Sequence, residues 1–228
     1  MNITVKMTNT EKILGWVLLA LHLLFLPYII LLICKLFSVE LTTTALNIVV
    51  FITAFVLTVS IFFRFLWRNL QNFWQNKKKC IYAAMGGFGI YYVMSIFVSI
   101  IIQNLSPSYS NANDANIQQM TTNSYGMILF CTVVLVPVTE EVLYRGMLFG
   151  LIRQKSRVLA YMLSVLIFAA IHVVGYIGQL SPLHIFLAVL QYIPASISLA
   201  YAYELADSIW APILIHSFIN LIGMLAMR

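Results

Sequence analysis

Two adjacent glutamates, Glu140 and Glu141, sit in an apolar run from Tyr125 to Ile152 of a chain with only seven acidic residues. A charged side chain at the centre of a membrane helix costs about 2.5–3.5 kcal/mol on insertion scales, so it needs a partner or a task. On a helix Glu141 and Arg145 are four residues apart, share a face with the acid N-terminal to the base, and can neutralise each other. Glu140 is turned by about 100°, lies over Tyr144, and is left without a cation on its own helix. Pro137 removes a backbone hydrogen bond and predicts a kink just before the carboxylates. Two further apolar runs carry polar residues. Phe168 and His172 share one helix face, and His216 and Asn220 share another. Polar groups in membrane helices turn toward each other or toward water. Together these residues supply a carboxylate base, two imidazoles and an amide donor. That inventory suits water-mediated attack on a carbonyl, with donors stabilising the oxyanion. A purely structural clamp between helices is the alternative for Glu140, Glu141 and Arg145.

The elements that must position these groups are membrane helices. The 228 residues are 62% hydrophobic and 9% charged, against about 25% charged in a soluble domain. Mean hydropathy is +0.95. The fold class is therefore all-α and polytopic, with about seven spans and the polar residues in the bundle of the last four. The spans read as Ile13–Leu36, Ala45–Trp67, Ile81–Ile102, Tyr125–Ile152, Val158–Ile177, Leu183–Tyr203 and Ile209–Met227. Residues 1–120 form an N-terminal unit of three spans and a polar loop, and residues 121–228 form the catalytic core. Gly86, Gly87 and Gly89 predict a close packing face on the third span. The polar stretch Gln103–Ser124 reads as an exposed extracytoplasmic loop, and Glu204–Ser208 as a short turn. His22, in the first span, reads as a neutral histidine hydrogen-bonded to a neighbouring helix.

The net charge of +6 does not point to nucleic acid, because the bases lie in short clusters between apolar runs. Eleven of them fall on one side of a seven-span topology and two, Lys35 and Arg228, on the other. The positive-inside rule then places the N-terminus and the Arg68–Lys79 segment in the cytoplasm of a multi-pass plasma-membrane protein. Cys34, Cys80 and Cys131 show no paired spacing, and neither a disulfide framework nor a cysteine zinc site follows.

The set Glu140-Glu141-x-x-x-Arg145, Phe168-x-x-x-His172 and His216-x-x-x-Asn220, with Ser208 to Ile215 leading into the last, resembles the CAAX protease and bacteriocin-processing (Abi, or CPBP) family of intramembrane proteases. The resemblance covers Tyr125 to Asn220. It implies an intramembrane endopeptidase in which Glu140 activates water with help from His172. It implies His216 and Asn220 as partners in metal binding or oxyanion stabilisation, with Glu141 and Arg145 as supports. It permits a zinc-type protease, with Glu140, His172 and His216 as ligands of one divalent ion, or a carboxylate protease that needs none. Asn220 is a poor zinc ligand and no His-Glu-x-x-His motif is present, so direct water activation is favoured and zinc stays open. The expected partners are the lipid bilayer and a membrane-associated peptide or protein cut near the cytoplasmic side, with no nucleic acid. Prenylated tails and unmodified bacterial peptides are both open as substrates. The rival function is a non-catalytic membrane immunity or scaffold protein that binds a bacteriocin or a sensor.

Overall fold

The computed structural model describes residues 5–228, so the first four residues of the predicted N-terminal unit lie outside it. Among the described residues there is no β-strand. Six helices are long and apolar enough to cross a membrane: α1 (Asn9–Leu36), α2 (Thr43–Gln75), α3 (Lys77–Leu105), α4 (Ser124–Arg153), α5 (Arg157–Tyr176) and α6 (Pro182–Ala206). A shorter apolar helix, α7 (Trp210–Ala226), follows. The all-α polytopic reading holds. Large apolar side chains such as Tyr28, Leu32, Tyr82 and Phe97 are exposed along these helices, as lipid-facing residues are and as a water-facing surface rarely tolerates.

Local chemistry sets the ends of the helices. Thr8 and Glu11 form a reciprocal capping box at the start of α1, and Arg68 of α2 pairs with Glu11 at 3.0 Å. Ser181 caps α6 through the His184 amide, with Pro182 in the first turn, where its missing N–H costs nothing. Several spans differ from the sequence reading at their ends. α2 continues through the aromatic and basic stretch to Gln75, and α3 begins at Lys77, so only Asn76 separates them. Glu204 lies within α6 rather than in a turn, and its carboxylate accepts from Arg153, Arg157 and Tyr161. The turn proper is closed by Asp207 in the left-handed region (φ 57°). It is anchored on α2, where Asn69 accepts from the Ser208 hydroxyl and the Ile209 amide, both at 2.9 Å.

The predicted polar loop is also largely helical. Asn111 caps a helix at residue 112 that runs to a break at Ser124 (φ −149°, ψ 37°), where α4 begins. This segment is tethered: Asn111 donates to Gln191 at 3.0 Å and Asn116 to the Tyr176 hydroxyl at 2.6 Å. The Asn, Asp and Thr residues of this segment have low helix propensity, so the cap and these tertiary bonds overrode it.

α1 and α2 pack on α4, while α3 packs on α6 and α7, so α2 and α3 diverge from their junction. One apolar core links α1, α2, α4, α5, α6 and α7 through Leu18, Phe62, Val142, Met147, Phe168, Tyr203 and Ile213. It fills the end of the bundle that carries Lys77–Lys79, Arg153 and Arg157. Of the three glycines singled out on α3, Gly87 makes the close contact. A Cβ there would lie 2.8 Å from Ile215, 3.0 Å from Ala202 and 3.2 Å from the Ser198 carbonyl, whereas a Cβ at Gly89 meets nothing within 4 Å. Gly87→Leu should therefore cost about 1–3 kcal/mol by overpacking, and Gly89→Leu little. Size-exclusion profiles of the detergent-solubilised variants should show loss of monodisperse protein for the first and not the second.

Candidate active site

The two adjacent glutamates have separate surroundings. Glu141 and Arg145 are both fully buried and pair at 2.9 Å, as their spacing predicts. Arg145 also donates to the carbonyl and hydroxyl of Ser196, and its guanidinium lies 4.3 Å over the Phe168 ring. The same Glu141 oxygen accepts from His216 Nδ1 at 2.8 Å. A carboxylate can only accept, so Nδ1 carries the proton and Nε2 is turned to the other side. There it meets Glu140 Oε2 at 3.9 Å. That Glu140 oxygen is buried and has no hydrogen-bond partner within the protein.

His172 is oriented by the same logic. Its Nδ1 lies 2.8 Å from the Phe168 carbonyl, which can only accept, so Nε2 keeps its lone pair. Its ring stacks on Tyr192 with centroids 4.3 Å apart. Tyr192 in turn reaches Asn111, the cap of the helix at residue 112. Phe168 is the shared wall: Tyr144, His172 and His216 all pack on it within about 6 Å, alongside Arg145.

Glu140, His172, His216 and Asn220 all line one cavity of about 1620 Å³. Asn220 does not pair with His216. Its amide donates to the Thr132 carbonyl at 2.8 Å. The local backbone explains why. Residues Cys131–Leu135 form a wide π-turn in which the Val136 N–H bonds the Cys131 carbonyl, and Pro137 has no N–H. The Thr132 carbonyl therefore loses both its α-type and its π-type donor, and Asn220 supplies the missing one. The expected kink at Pro137 is thus a widened turn. A longer π-type stretch, Glu141–Phe149, carries the buried ion pair.

His22 was missed by the sequence reading. It lines the same cavity, 6.5 Å from the Tyr144 ring, and its Nδ1 has no hydrogen-bond partner within the protein. It stands second in a π-turn, Leu21–Phe25, and five residues before Pro27, as Thr132 stands second in its π-turn and five residues before Pro137. That repeated spacing was the available signal.

Glu140, His172 and His216 do not gather into a group that could hold a metal ion, and among the described residues no other three of His, Cys, Asp or Glu do. Nδ1 of each of the two histidines is engaged on Glu141 or a backbone carbonyl, which leaves Nε2 free in both. As placed, these three residues are not gathered for the zinc centre that the sequence left open, and no step below is routed through an ion.

Because Glu141 is shared between Arg145 and His216, Glu141→Gln should destabilise the protein by about 3–5 kcal/mol, the cost of leaving one member of a buried pair unmatched. Thermal unfolding in detergent should show this. Joint replacement of Glu141 and Arg145 by Gln and Met should recover part of the loss. His22→Gln should leave the unfolding temperature nearly unchanged, since no bond within the protein is lost.

No curated protein and no solved structure matches the chain. Residues 122–222, the stretch that carries both glutamates, Arg145, His172, His216 and Asn220, match the family model "Type II CAAX prenyl endopeptidase Rce1-like", and the resemblance of this site-bearing segment to the CAAX proteases is thereby shown.

Proposed function

We propose that this cavity hydrolyses a peptide bond of a membrane-associated peptide or protein with water activated by Glu140. At family level the match supports a CAAX-protease-like intramembrane endopeptidase. The observation that carries the finer reading is the division of labour between neighbouring carboxylates. Glu141 engages Arg145 and His216 through one oxygen and does not line the cavity, while Glu140 lines it and makes no hydrogen bond through its buried Oε2.

In this scheme Glu140 takes a proton from water as the oxygen attacks the carbonyl carbon. His172, with Nε2 free, helps to hold the water. His216, fixed by Glu141 through its Nδ1–H, holds Nε2 beside Glu140 and orients that carboxylate. The second N–H of Asn220 donates to the oxyanion, its first being spent on Thr132. Glu140 then returns its proton to the departing amine, so the carboxylate is regenerated. A buried, preorganised donor acts more strongly here than in water because the low dielectric strengthens each contact.

Glu140→Gln should abolish cleavage of a reporter peptide, by a factor of about 10² or more, with normal protein level and unfolding temperature. A strong chelator should leave wild-type turnover unchanged. Retained turnover in Glu140→Gln, or activity lost to chelation and restored by zinc, would overturn the scheme.

A further inference from the structure

The cavity that holds Glu140 opens at one end of the bundle only. Its rim comes from Thr42 and Asn47 at the start of α2, Gln103 at the end of α3, and Asn113, Asp114 and Asn116 on the helix between α3 and α4. All of these lie at the end opposite Lys77–Lys79, Arg153 and Arg157. At that basic end the path is closed by Phe65, Leu143, Met147, Phe149 and Tyr203, each at most 1% exposed. The cavity also opens sideways. Tyr92, Ile96 and Ile100 of α3 line it and are 44–60% exposed, where α3 diverges from α2.

The two ends differ in charge. Lys6, Lys12, Arg64, Arg68, Lys77, Lys78, Lys79, Arg153, Lys155 and Arg157 belong to the closed end, and Lys35 and Arg228 to the open one. Basic residues next to spans stay on the cytoplasmic side, so the open end faces out. The lining is one-signed as well. Asp114 and Glu140 are its acidic groups, and among the described residues no Lys or Arg lines it. Burial raises the Asp114 carboxyl above its ordinary pKa, an effect that a cationic ligand would relieve. A peptide ending in a free carboxylate would find no cation in this cavity.

We propose that the site is loaded from the extracytoplasmic face, and sideways from that leaflet, by an apolar peptide segment carrying positive rather than negative charge. This rests on the proteolytic reading of the cavity, and it replaces the cytoplasmic access expected from the sequence. The apolar part of the segment enters between α2 and α3, its cationic part sits near Asp114, and the bond to be cut reaches Glu140.

The test separates access from catalysis. Single cysteines replace Ser99 on the cavity wall, Gln103 at its rim, or Gln154 at the basic end, in a protein lacking Cys34, Cys80 and Cys131. Intact cells are treated with a membrane-impermeant maleimide. Ser99→Cys and Gln103→Cys should label without permeabilisation, and Gln154→Cys only after it. In purified protein, an apolar peptide bearing two lysines should slow Ser99→Cys labelling more than the same peptide bearing two glutamates. Asp114→Asn should reduce that difference by roughly two- to fivefold, the size of one partly solvated charge pair. Labelling of Ser99→Cys and Gln103→Cys only after permeabilisation overturns the proposal, as does equal or better protection by the acidic peptide. None of these readouts needs turnover, so loss of the proteolytic reading would show separately, as absent cleavage from either side.

Discussion

A guanidinium with no exposed surface has to be matched inside the protein, and the arrangement of the site follows from how Arg145 is matched. Its charge is balanced by Glu141 one turn away, its Nη2 reaches Ser196 on α6, and its flat face rests on Phe168 of α5. Two helices are thereby fixed relative to α4. Glu141, held in place by Arg145, becomes a rigid acceptor for His216 on α7. That bond selects the ring orientation and presents the other nitrogen to Glu140. Glu140, the carboxylate proposed to activate water, is therefore positioned indirectly: its neighbours Glu141 and His216 are tied to the buried cation, while Glu140 itself is not.

The second organising feature is backbone geometry. A proline inside a membrane helix leaves a carbonyl unmatched, and lipid offers no substitute donor. Here the residues before Pro27 and Pro137 respond by widening the helix into a π-turn. At Pro137 the orphan carbonyl is met by Asn220 and becomes a strut between α4 and α7. A residue that looks chemically active is thus partly structural, and it links the last helix to the wall of the cavity.

Much of this was legible in the sequence wherever partners lie close along the chain. The i,i+4 rule found the Glu141–Arg145 pair, left Glu140 apart from it, and put Phe168 beside His172. Apolar runs located the spans, and the polar residues inside them marked the cavity lining. The contacts that complete the site lie far apart in sequence: His216 to Glu141 across 75 residues, Arg145 to Ser196 across 51, Asn220 to Thr132 across 88. Helical periodicity carries no information about such pairs. His22 was set aside because one imidazole in an apolar helix usually has a partner; here its Nδ1 has none. The helix at residue 112 was hidden by its Asn- and Thr-rich composition, because its support comes from α5 and α6 rather than from its own residues.

The wide turns also bear on how this segment is inherited. A π-turn holds one residue more than the α-turn it replaces. In a relative whose fourth helix runs as regular α-helix before the paired glutamates, correct alignment requires a one-residue gap between the counterparts of Ile128 and Glu140. Without that gap every residue beyond it is read about 100° out of phase, and the buried Glu141 would be aligned with the position of Glu140 or the reverse. The extra residue, the proline at 137 and the amide at 220 serve one carbonyl between them. They act as one structural unit, although 88 positions separate the carbonyl from the amide that satisfies it.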